Sequence, residues 1–193
     1  LEIRRPVQEI KQLWNVILER TKVLALFKVN GDIMIRTFAL LAGFAWFADQ
    51  GAQFGDSILA ANHVLLQFVS LSAFFLDGYA FVMEMLSGKT IGEKNLKEFK
   101  FQLKDSTIIA GVTAFFLGFF FYVFGSYFIP LLSQDGEVQA IAKAHLLFAG
   151  IYILFSFVAF QLDGIFIGAT QSREMRNASI ISLVLFVAAS FIL

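Results

Sequence analysis

The chain has 193 residues, of which 58% are hydrophobic and 16% charged, and its formal net charge is zero. An ordinary soluble domain carries about a quarter charged residues, so composition places this chain in the membrane class and leaves charge distribution, not net charge, as the informative quantity. Cysteine is absent, which excludes a disulfide framework and any thiolate metal site.

Residues 1–30 read as a leading unit. Val7, Ile10, Leu13, Trp14, Ile17, Val23, Leu24 and Phe27 recur at helical spacing among Lys, Arg and Glu. Two readings fit: an amphipathic helix lying at the cytoplasmic interface, or a connector packed on the ends of other helices. The charged leader lacks the apolar run and small-residue site of a cleavable signal.

Residues 31–193 read as membrane helices. Five apolar segments follow, near Ile33–Phe54, Ile58–Gly88, Ser106–Ser133, Val138–Gly168 and Asn177–Leu193. A hydrocarbon core of about 30 Å needs around 20 helical residues, and each segment meets or approaches that length. Basic residues precede the first segment and return between the second and third (Lys89, Lys94, Lys97, Lys100, Lys104) and between the fourth and fifth (Arg173, Arg176). The alternate loops hold Asp49, Asp56, Asp135 and Glu137. The positive-inside rule therefore makes the basic loops cytoplasmic. The chain starts at Leu1 and is still apolar at Leu193, so it is expected to be an interior piece of a longer protein.

The second segment carries charge inside a span. Asp77 and Glu84 are two turns apart, roughly 10 Å along one helix face. His63, Gln67 and Ser70 extend that face within a sector of roughly 100°. Ionisable residues within a span are costly and mark functional sites by default. The plainer reading is that they hydrogen-bond across helices and fix packing.

In the third segment Gly111, Gly118 and Gly125 recur every seven residues, a small-residue face suited to close helix packing. The fourth segment repeats the polar logic of the second. His145, Tyr152, Ser156, Asp163 and Thr170 fall within roughly 40° on a continuous helix. Leu76-Asp77-Gly78 in the second segment is echoed by Leu162-Asp163-Gly164 in the fourth. In each, Gly78 or Gly164 would let a neighbouring helix or a ligand come close. The echo is too short to establish a repeat. His63 and His145 are too isolated to propose a metal site.

The string Leu76-Asp77-Gly78-Tyr79-Ala80-Phe81-Val82-Met83-Glu84 follows Ala60-Ala61-Asn62 and precedes Gly88 and Gly92. With Asn30-Gly31-Asp32-Ile33-Met34-Ile35-Arg36-Thr37 and Asp163-Gly164-Ile165-Phe166-Ile167-Gly168-Ala169, it resembles the DinF branch of the MATE multidrug and toxic-compound exporters. Val82-Met83 replaces the small pair usual in that branch. The resemblance implies an all-α integral membrane protein, with residues 31–193 supplying helices seven to eleven of a two-lobe, twelve-helix transporter. It also implies a multi-pass protein of the cell (inner) membrane. Organic compounds would be exported, driven by proton or sodium entry, with no cofactor beyond that coupling ion. The expected partners are the lipid bilayer, small organic substrates and the first lobe of the same protein. In the family an important coupling Asp lies on the first helix, so this piece alone is not expected to transport.

A carboxylate desolvated inside a bilayer can load a proton from one side and discharge it when the cavity opens to the other. It can also pair with a cationic substrate. Asp77, Glu84 and Asp163 are the leading candidates, with Gln67, Ser70, Tyr152, His145 and His63 beside them. No phosphate-binding loop, nucleophile elbow or His-Glu-x-x-His string occurs. Nearly all basic residues sit in membrane-flanking loops, which argues against nucleic acid as a partner. The alternatives are a lipid-linked precursor flippase of related build, which would want a cationic cavity, and a helical scaffold without transport.

Overall fold

The computed structural model describes residues 20–191, all of them in helices or in the short turns between them. Among the described residues six helices run in order: α1 (Arg20–Gln53), α2 (Asp56–Gly92), α3 (Leu96–Leu132), α4 (Gly136–Ala144), α5 (Leu146–Gly168) and α6 (Ser172–Ser190). Most of the leading amphipathic segment lies outside the described residues. Its last part is continuous with the first span, because α1 crosses positions 30 and 31 without a break.

Local chemistry sets the helix ends. Gly55 precedes α2 at φ 110°, a conformation that disfavours any Cβ. The Asn95 side chain accepts the Glu98 amide at 3.1 Å to start α3. Asp135 does the same for Glu137 and Val138 at the start of α4. Each side chain satisfies amides that the first helical turn leaves without partners. α2 continues through Gly88, and the turn falls at Glu93–Asn95.

Among the described residues four helices are long and apolar enough to cross a membrane: Val23–Gln53 within α1, then α2, α3 and α5. The fifth apolar segment forms α6, whose first turns carry Arg173, Glu174 and Arg176, and residues 192–193 lie outside the described residues. One expectation needs correction. The fourth segment is not one helix. It breaks at His145, where the amide bonds back to Ala142 and the ring Nδ1 lies 2.8 Å from the Ile141 carbonyl oxygen. The predicted polar line from His145 to Thr170 is therefore interrupted at its start. It also stops before Thr170, which sits beyond α5 at φ 56°.

α5 is the central packing element, with its largest contacts to α2 and α3, while α1 pairs chiefly with α6. Glycines set the α5 crossings. A Cβ on Gly164 would run into the Ala80 carbonyl oxygen, and one on Gly168 into the Glu84 carbonyl oxygen. On the other side of α5, a Cβ on Gly118 would stand 2.6 Å from the Gly150 carbonyl oxygen. Such backbone approach is how membrane helices gain packing where no water drives association. Gly125 meets Leu146 and Phe68. The atoms nearest to a Cβ on Gly111 all belong to the Phe157 ring, from 3.4 Å, and the residue remains half-exposed. At Gly78 a Cβ would meet nothing within 4 Å among the described residues, because the residue lies off the packed face of α2.

One end of the bundle is filled by Ala61, Val64 and Phe68 of α2 with Phe121 and Ile129 of α3, Val138 and Ala142 of α4, and Leu146 and Ile153 of α5. Phe68 and Phe121 stack there at 4.9 Å. Ser57 donates to Glu137 at 2.8 Å, which brings the α1–α2 and α3–α4 connections to the same end, as alternating spans require.

Candidate functional site

The packed face of α2 consists of Ala61, Val64, Phe68, Ser72, Leu76, Met83, Ser87 and Thr90, all buried. Placed on a helical wheel, His63, Gln67, Ser70, Asp77 and Glu84 lie roughly opposite that face. The structure leaves His63, Gln67 and Ser70 exposed and Asp77 and Glu84 half-buried. Two residues absent from the sequence expectation complete the row. Phe74 and Phe81 are 76% and 65% exposed, and the spacing 63, 67, 70, 74, 77, 81, 84 alternates four and three, so they share the face with the polar groups. The surface is thus a mixed polar and aromatic face turned away from the rest of α2's packing. His63 also borders a cleft of about 110 Å³ between α1 and α2, beside Phe44 and Phe47.

Asp163 of α5 is held by Arg36 of α1, whose Nη2 donates to its Oδ2. The side chains are 18% exposed for Arg36 and 33% for Asp163. Asp77 of α2 forms no ion pair among the described residues but lies near enough to feel the Arg36 charge. Arg36 is the residue that sequence reasoning misses. The available signal is a lone cation inside an apolar segment, which must find a partner in the bilayer. Glu84 takes part in no ion pair among the described residues.

Tyr152 is exposed, and the Ser156 hydroxyl donates to the Ile153 carbonyl at 2.8 Å. Neither residue is brought to the charged cluster by a hydrogen bond. His145 serves the helix break described above.

A second ion pair lies about one turn earlier on α1. Asp32 is buried and accepts from Arg176 at 2.5 Å and from Ser172 at 3.2 Å. This pair locks α1 to the start of α6, and the Trp46 indole donating to Ser190 at 2.8 Å holds their other ends together. α1 and α6 are therefore fastened along their length, while Arg36 fastens α1 to α5.

An all-helical chain with several bilayer-length apolar helices and charges paired between them defines a multi-pass membrane protein. The chain belongs to the MatE family, whose profile matches residues 50–192. It is 31% identical over 153 residues, 79% of its own length, to DNA damage-inducible protein F of Escherichia coli strain K12. The chain spans about a third (33%) of the length of that relative.

Proposed function

We propose that the chain forms most of the second lobe of a secondary active exporter, which exchanges cationic or amphipathic organic compounds for protons or sodium by alternating access. The observation that carries this reading is the unpacked face of α2, where carboxylates alternate with exposed phenylalanines. Aromatic rings offer flat apolar contact and a negative π face to an organic cation, and the carboxylates offer the opposite charge. In this reading the α2 face lines a cavity shared with the first lobe. The protein sits in the cell membrane with its basic loops, and the segment before α1, on the cytoplasmic side. Asp77 and Glu84 carry the coupling charge or bind the substrate.

The flippase alternative is less well supported. Its pyrophosphate substrate would need surplus positive charge, whereas Arg36 is matched by Asp163 and outnumbered once Asp77 is included.

The test is Asp77→Asn with Glu84→Gln in the protein assembled in its membrane. These changes keep size and most hydrogen bonding while removing ionisation. Coupled export should fall, or its pH dependence change, as expected for intramembrane carboxylates with a functional role, with folded yield unchanged. Full transport by the double variant would leave both carboxylates a packing role only.

A further inference from the structure

The surface of α3 carries a row that the proposed transport role does not use. Lys97, Lys100 and Lys104 are exposed and form no ion pair among the described residues. Continuing by three and four residues, the same stripe reaches Ile108, Gly111 and Phe115. On a wheel these six positions share a sector of roughly 80°. The apolar half of the stripe is a groove of about 580 Å³ between α3 and α5, lined by Ile108, Gly111, Val112, Phe115 and Phe116 from α3 and by Phe157 from α5. Thr107 is the single polar residue in its wall. Gly111 creates the depth, since without a Cβ the helix surface recedes in front of the Phe157 ring.

We infer that this row is a binding site for an anionic phospholipid, with the headgroup phosphate on Lys104, Lys100 and Lys97 and an acyl chain in the groove. The dimensions fit. Lys104 to Phe116 is twelve residues, about 18 Å of helix, close to the roughly 15 Å depth of one leaflet's hydrocarbon. Lysine stems lie along apolar surface while their ammonium groups reach the interface, so the row meets a headgroup where the groove meets the chain. Glu98 and Asp105 flank the row, roughly 80–100° round the helix from Lys97, and Glu98 accepts from Gln102 at 2.6 Å. They leave the lysine side of α3 cationic. The site requires that α3 cross the bilayer, and it holds whether or not the proposed export activity does.

The experiment is quenching of a single tryptophan by lipids brominated on the acyl chain. Phe115→Trp reports on the groove and Phe128→Trp on the opposite end of α3, each with Trp14 and Trp46 changed to Phe. The probes are brominated phosphatidylglycerol and brominated phosphatidylcholine, each mixed with the other lipid unbrominated. Phe115→Trp should favour the anionic lipid, and each lysine changed to Gln should reduce that preference by up to about fivefold at low salt. Phe128→Trp should show no preference. Native mass spectrometry of the protein with both natural tryptophans is the second readout. It should show phosphatidylglycerol adducts that outlast phosphatidylcholine adducts, and lose that difference in the Lys97→Gln, Lys100→Gln, Lys104→Gln variant. Equal quenching by both lipids at Phe115→Trp, equal preference at both reporters, or adducts unaffected by the lysine changes would overturn the proposal.

Discussion

Arg36→Gln alone should destabilise the protein by about 3 kcal/mol, the lower end for breaking a buried ion pair because Asp163 is partly exposed. Arg36→Gln together with Asp163→Asn should recover most of that loss. The asymmetry follows from where the pair sits. Arg36 lies within a bilayer-length helix and Asp163 near the end of another, and removing the guanidinium leaves Asp163 without its cation, with the Asp77 charge nearby. Like charges in a medium of low dielectric constant repel strongly, and the remaining options are to admit water, take up a proton or move α1 away from α5. Neutralising both partners removes that choice. The pair also joins the α1–α6 unit to the α2–α3–α5 unit, so the single variant should loosen one unit from the other. Thermal unfolding in detergent and the monodisperse yield on size exclusion measure both effects. A single variant as stable as the parent would show that the pair contributes nothing to holding the helices together.

Gly164→Ala should be nearly as damaging, at about 2–3 kcal/mol, whereas Gly78→Ala should be neutral or slightly stabilising. Both glycines follow Leu-Asp, and sequence alone treats them alike. At Gly164 an added methyl meets the Ala80 carbonyl and, at 3.1 Å, the Met83 Cβ. Backbone cannot rotate out of the way, so α5 must separate from α2 along the crossing that Gly168 also occupies. At Gly78 the methyl enters open space, and only the better helix propensity of alanine is felt. Equal losses from the two substitutions would contradict this assignment of the packed and open faces.

Helical periodicity by itself makes the α2 face legible. The angle between Asp77 and Glu84 depends only on residues along one helix, and α2 runs unbroken from Asp56 to Gly92. Phe74 and Phe81 escape notice on the same face because phenylalanine in an apolar segment reads as core or lipid contact, and only packing shows that neither is covered. The Arg36–Asp163 pair is illegible for another reason. Its partners are 127 residues apart, and no local rule says which of several intramembrane carboxylates a lone arginine will meet. The break at His145 carries neither proline nor glycine at the breaking residue, so hydropathy runs the fourth segment straight through it. Gly118 and Gly164 show the limit of small-residue patterns: spacing marks where close approach is possible, and the partner helix decides where it occurs.

In the proposed transporter, the α2 face bearing Gln67, Ser70, Asp77 and Glu84 lines an aqueous cavity, while the exposed side about a third of a turn away meets lipid. Neighbouring residues separate the two sides, since Ser70 lies on the face and Leu71 and Phe75 lie off it, all three exposed. The direct measurement is the rate at which single cysteines at these positions react with a water-soluble thiol reagent in the assembled, membrane-embedded protein. Gln67→Cys and Ser70→Cys should react readily and be protected by a transported organic cation, with Leu71→Cys and Phe75→Cys unreactive. Faster labelling at Leu71→Cys than at Ser70→Cys would contradict the account.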